Sequence, residues 1–182
     1  MIQRFCKIVP GTQLSSLIVM KNVCLLLLII LISSCTKTIL VDQEALKKIP
    51  YGSTKVISRS PQPASEVFSL LSKSFAREGC PVKTDKESMQ VICDGKSVEG
   101  GTTVKAMAYV ESDGDGSVVT ITGEWGLNAN GQLMMSAFGA HGVSSANKVV
   151  WEGIKSTKPC IAFQYMILLT KDIPDGKLSY KK

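Results

Sequence analysis

Histidine is almost absent from this chain: 182 residues hold one, His141. A two-histidine metal site is therefore excluded, and a Ser-His-acid triad has a single position from which to draw its base. Aromatic residues are scarce at 6% and charged residues make up 20%. No apolar run approaches the roughly twenty residues of a membrane-spanning helix. There is no Cys-x-x-Cys pair, no phosphate-cradling glycine loop and no dinucleotide fingerprint. No internal repeat or low-complexity tract occurs. No basic cluster is interleaved with aromatics, so nucleic acid is not an expected partner.

What is present is enough for one domain with a tail. Hydrophobic residues make up 45% of the chain, too many for a disordered segment. Much of the slightly positive mean hydropathy comes from one stretch. Val23 to Ile32 reads Val-Cys-Leu-Leu-Leu-Leu-Ile-Ile-Leu-Ile, ten residues without a polar break. Lys21 and Asn22 keep it from merging with Leu17 to Met20. A short apolar run behind a positive charge is a secretory leader, not a span. It ends in Leu31-Ile32-Ser33-Ser34-Cys35.

This ending resembles the lipobox of bacterial lipoproteins: Leu or Ile, two small residues, then Cys. The resemblance implies cleavage before Cys35, followed by a diacylglyceryl thioether and an amide-linked acyl chain on that residue. The competing reading is an ordinary signal peptide with an incidental cysteine. Residues 1–34 are leader in either case, with Met20 an alternative true start. Residues 35–52 are then a lipidated tether and 53–182 a single domain. Three acyl chains hold a protein on a bilayer readily, since each buried methylene contributes about 0.8 kcal/mol. Thr36 follows the cysteine; where an Asp there retains a lipoprotein at the inner membrane, its absence favours the outer membrane, facing the periplasm.

The leader carries Arg4, Lys7 and Lys21 and no acid, leaving residues 36–182 with 18 basic and 15 acidic side chains, a net of +3. Beyond Cys35 the cysteines are Cys80, Cys93 and Cys160, in a compartment that permits disulfides. Residues 80–94 read as a hairpin around Lys86-Glu87. A turn centred there pairs residues whose numbers sum to 173, which places Cys80 opposite Cys93, within bridging distance. Pro81 conflicts with a two-residue turn there, because it lacks a ladder N–H. Two reduced, buried cysteines are the alternative.

Asp42 to Ile49 reads as a short helical turn and Ser53 to Ser60 as a weak first strand. Residues 61–79 read as a helix: Ala64, Val67, Phe68, Leu71 and Phe75 share one face, prolines stand at the start and Gly79 at the end. Residues 102–126 read as the strongest hairpin, turning at Asp113-Gly114-Asp115-Gly116. It pairs Val110 with Val119, Ala108 with Ile121, Ala106 with Gly123 and Val104 with Trp125. The opposite face carries Lys105, Met107, Tyr109, Glu111, Thr120, Thr122 and Glu124. The small Ala106/Gly123 level suits the close approach of a helix. Asn130-Gly131 reads as a second turn leading into a strand over 132–138, with a short helix as the alternative. Residues 139–147 read as a loop, 157–171 as an almost wholly apolar helix, and Lys177 to Tyr180 as an edge strand.

The candidate chemistry is thin. His141 stands in a glycine-rich loop without a companion. Glu111, Asp113 and Asp115 resemble half of a calcium loop, but glycines after both aspartates are what a tight turn needs. Cys160 follows Pro159 at a helix start, where a thiol gains reactivity, although a small buried residue fits equally. No catalytic, metal or cofactor residue is assigned; the residues assigned are Cys35 for lipidation and Cys80 with Cys93 for a bridge.

The element order describes an α+β fold: an antiparallel sheet of four to six strands packed against two helices. Over residues 53–171 it resembles the helix-grip domains of accessory envelope lipoproteins. The likeness rests on the helix ending at Gly79, the strands Val82 to Lys86 and Val91-Ile92, the hairpins and the final helix. No catalytic or binding motif comes with the likeness, and without a polar constellation the first function read is a non-enzymatic module that binds an envelope protein. A small hydrophobic ligand or lipid held between the sheet and the final helix is the alternative.

Overall fold

A computed structural model describes residues 41–137 and 146–182. Cys35, His141 and Phe138 lie outside the described residues. The organising element is the long hairpin of β4 (Thr102–Asp113) and β5 (Gly116–Leu127). Its pairing is the one its alternating residues demand: Val104 with Trp125, Ala106 with Gly123, Ala108 with Ile121, Val110 with Val119. Gly114-Asp115 is the two-residue turn between them.

Around this hairpin the other strands add on both sides. β2 (Val82–Asp85) and β3 (Gln90–Val98) extend it past β4, and β1 (Lys55–Ser60) and β7 (Lys177–Lys181) extend it past β5. The strand order is β2-β3-β4-β5-β1-β7. A two-residue strand, β6 (Asn147–Lys148), pairs with β5 beyond the end of β1. Among the described residues the sheet is antiparallel and has seven strands, more than the expected four to six. β1, expected to be weak, is interior, hydrogen-bonded to β5 and β7.

The helices are α1 (Gln43–Lys47), α2 (Ala64–Arg77), α3 (Ala129–Ala137) and α4 (Lys158–Leu168). In α2, Val67, Phe68, Leu71 and Phe75 are buried, as their spacing requires. Gly79 at φ +77° ends the helix, and the Cys80 N–H closes back on the Phe75 carbonyl at 3.1 Å. α2 and α4 lie on the same face of the sheet and share one core with the inward residues of β3, β4 and β5.

α4 is covered more completely than one sheet would manage. Cys160 and the residues from Ala162 to Ile167 are all buried. The second side is closed by the chain itself. Trp151 packs at a tilt against Phe163, ring centroids 5.7 Å apart, and Tyr180 of β7 reaches Phe163 at 6.0 Å. Leu46 and Ile49 join the same core. The apolar surplus of α4 is thus absorbed internally, and the packed unit includes part of the 35–52 segment read as tether.

Two local readings are corrected. The β2–β3 register sums to 175, not 173: Val82 pairs with Cys93, Thr84 with Val91 and Asp85 with Gln90. The cause is the turn. The Asp85 carboxylate accepts from the N–H groups of Glu87 and Ser88 and from the Ser88 hydroxyl, and Met89 at φ 50° closes a four-residue loop. Residues 132–137 do not continue as a strand either but belong to α3, the short helix of the alternative reading. Asn128 caps α3, its Oδ1 accepting from Gly131 N–H at 2.9 Å and its carbonyl from Gln132 N–H at 2.9 Å. Gly131 serves close packing here, since a Cβ on it would lie 2.4 Å from the Gly101 carbonyl oxygen. Asn147, read as loop, belongs to β6.

Candidate functional site

Because both long helices occupy one face of the sheet, the side chains that alternate away from the core meet on the other. Among the described residues no helix covers that face. The pairing register sets its composition in rows across the strands. One row runs Lys83, Ile92, Met107, Thr122. The next runs Asp85, Gln90, Tyr109, Thr120, Ile57, Ser179. A third places Lys105, Glu124 and Lys148 side by side on β4, β5 and β6, with charges alternating in sign.

The centre of this face is apolar and sulfur-bearing. Met107 Sδ accepts from the Gln90 side-chain amide at 2.7 Å and from the Tyr109 hydroxyl at 3.4 Å. Ile92 and Met107 are half-buried and Tyr109 is exposed. A shallow groove of about 450 Å³ lies beside them, bounded by Asp94, Lys105, Glu124 and Lys148. Asp94 receives Lys83 Nζ at 2.6 Å, with Lys105 Nζ at 3.9 Å. The hydrogen bond and charge of Lys83, helped by Lys105, hold the Asp94 carboxyl below its ordinary range. Such a surface offers apolar contact at the centre and charged hydrogen-bonding groups at the rim, the anatomy of a contact face.

Sequence alternation identifies Lys105, Met107, Tyr109, Thr122 and Glu124 on this face. It misses Lys148, because a two-residue strand has no periodicity to read. Gln90 and Ile92 join this face because Val91 and Cys93 between and beside them are buried; their cross-strand partners on β2 follow from the observed register.

The expected cysteine pair is joined, by a different geometry. Cys80 and Cys93 are bridged with Cα atoms 5.2 Å apart. Cys80 precedes β2 and lies diagonal to Cys93, both turned toward the core. Pro81 lends its carbonyl to Asp94 N–H at 3.0 Å and has no N–H to return, so β2 begins only at Val82. The Tyr165 hydroxyl touches Cys80 Sγ at 3.0 Å. Burial, and then the charge of Glu78, push the Tyr165 phenol well above its usual value. Glu78 in turn is ion-paired with Lys171.

Cys160 is a free thiol, fully buried, whose sulfur accepts from the Glu152 N–H at 3.1 Å. Asp113 binds Arg59 at 2.6 Å, and Asp115 forms the turn with Gly114. Among the described residues no three His, Cys, Asp or Glu side chains converge as a metal site. The space between sheet and α4 is filled at the Ala106/Gly123 level: a Cβ on Gly123 would lie 2.8 Å from Met166 Sδ.

Comparison with protein-family models, with curated proteins and with solved structures found no match to this chain.

Proposed function

We propose that this chain is a lipid-anchored protein of the bacterial cell envelope whose domain works by contact with an envelope protein and not by catalysis. The observation that carries the anchor is the order Lys21, apolar Val23 to Ile32, Ser33-Ser34 and Cys35. No helix among the described residues is long and apolar enough to cross a membrane, so an acyl anchor supplies attachment that these helices do not. Thr36 after the cysteine favours the outer membrane over the inner.

What supports action by contact is the open face around Met107 and Tyr109. A hydrophobic ligand between sheet and α4 ranks second, because it would have to displace Met166 and Phe163, both fully buried.

Mass spectrometry of the membrane-extracted protein tests the anchor. Three acyl chains on an N-terminal Cys35 are expected, and Cys35→Ala should leave an uncleaved or soluble form. A native protein that is soluble with an unmodified Cys35 would sink the reading.

A further inference from the structure

The chain enters the described structure at Val41, six residues after Cys35. Six extended residues span about 20 Å at most. If Cys35 is acylated, as proposed above, whatever surrounds the start of the domain is held near lipid headgroups.

Three segments converge there. α1 lies along β7, where Lys48 and Pro50 share a groove with Leu178, Ser179 and Tyr180. The Gly52 N–H donates to the Trp151 carbonyl at 2.8 Å, the Trp151 N–H to the Ser53 carbonyl at 2.8 Å, and the Thr54 N–H to the Lys181 carbonyl at 2.8 Å. Segments 41–55, 151–152 and 177–182 together hold six lysines against Asp42, Glu44 and Glu152. Their surplus equals the whole net charge of residues 36–182. Lys47 engages Glu44 at 2.7 Å and the Asp42 carboxylate accepts from the Glu44 N–H at 3.0 Å, so those charges are partly used within α1.

The other lysines are arranged at a cost to the fold. Lys55 of β1 and Lys181 of β7 stand directly opposite each other in the sheet. Like charges directly opposed across strands destabilise a sheet. Lys182 lays its stem against Gly52, its Cε 3.5 Å from where a Cβ on that glycine would be. None of Lys48, Lys55, Lys181 and Lys182 forms an ion pair among the described residues. Beside them Tyr51 is 72% exposed, the largest exposure of any large hydrophobic side chain in the described structure. An exposed tyrosine among unpaired lysines suits the boundary between headgroups and water, where aromatic rings and basic side chains both gain.

We infer that the corner formed by Lys48, Tyr51, Lys55, Lys181 and Lys182 is a second, electrostatic membrane contact that rests on anionic phospholipid headgroups of the leaflet holding the anchor. The acyl chains fix the domain to the bilayer, and the corner fixes which side of the domain faces it.

The test uses the membrane-extracted full chain carrying Tyr51→Trp, with the parent protein's Trp125 and Trp151 signal subtracted. It is reconstituted with vesicles of brominated phosphatidylcholine, alone or mixed with brominated phosphatidylglycerol. The expected result is quenching of the introduced indole on the anionic vesicles that is weak on the neutral ones and disappears at high salt. Each Lys→Gln change at 48, 181 or 182 should reduce the surface-bound population by about fivefold. Equal quenching on both vesicle types, or none on either, overturns the inference. Flotation separates it from the anchor reading. A chain that floats with neutral vesicles but is not quenched on anionic ones keeps the anchor and loses the corner. One that floats only with anionic lipid, with the introduced indole quenched, loses the anchor and keeps the corner.

Discussion

The sulfur of Met166 in α4 rests against the backbone of Gly123 in β5, so closely that a Cβ on Gly123 would lie 2.8 Å from it. The same Cβ would lie 2.9 Å from the Lys105 carbonyl oxygen and 3.3 Å from Val149 Cγ2. This contact seats the final helix on the sheet at the level where Ala106 and Gly123 are paired.

Gly123→Ala should therefore destabilise the domain by about 1–3 kcal/mol, measured by urea unfolding. Met166→Ala leaves a cavity and should cost about 2–5 kcal/mol. The double variant should lose less than the sum of the two, because the methionine clash is gone while the clash with the Lys105 backbone persists. Strict additivity would show that Met166 does not make this contact.

Replacing Cys80 and Cys93 together by serine should lower stability by about 3 kcal/mol, the chain-entropy value for a loop of this length. Non-reducing peptide mapping should find Cys80 joined to Cys93. Cys160 should resist alkylation until the protein is unfolded. A Cys160 that reacts in the native protein, or that appears in a bridge, would contradict the packing of α4.

Tyr165 sets a pH dependence. Its phenol titrates above its ordinary value of 10.0 in the folded protein, through burial and then the Glu78 charge. Above about pH 10 the unfolded chain loses this proton first and binds fewer protons than the folded one. Stability should thus be independent of this group below about pH 10 and fall as pH rises beyond it. Denaturant unfolding across that range should show a shallower fall for Tyr165→Phe. Identical slopes would mean that the hydroxyl is solvated.

The open face and the core differ by one residue along β4. Met107→Glu should change stability by no more than about 0.5 kcal/mol. Ala108→Glu should unfold the domain, since it buries a charge without a partner. If the open face is the contact surface, a photo-crosslinker at Thr122 should trap one envelope protein, and Met107→Glu should abolish that adduct. Crosslinking unaffected by Met107→Glu would move the contact elsewhere.

Short-range pattern carries much of this fold. The β4–β5 register is legible because one face of both strands carries no charged or hydrogen-bonding side chain other than Trp125 from Val104 to Val110 and from Val119 to Trp125, and the Gly114-Asp115 turn admits one centring. The limits of α2 are legible from its apolar spacing, the leading prolines and Gly79, each acting on a neighbouring backbone. The 80–94 hairpin differs from its sequence reading by one step per strand because both registers keep Val82 and Val91 inward. The side-chain hydrogen bonds of Asp85, which choose between them, leave no hydrophobic pattern. Asn130-Gly131 misleads as a turn signal because its glycine answers to the backbone of Gly101, thirty residues earlier in the chain.

By itself the sequence determined what depends on near neighbours: α2, the long hairpin, the apolar character of α4 and the small Ala106/Gly123 level. The tertiary structure alone decided what depends on distant partners. It folded Trp151 and Tyr180 against Phe163 of α4, drew Leu46 and Ile49 into the same core, left the Met107 face without a helix among the described residues, and brought Lys55 opposite Lys181. The reason is physical: periodicity reports that a face is apolar, but only the packed chain determines which residues, from how far away, come to cover it.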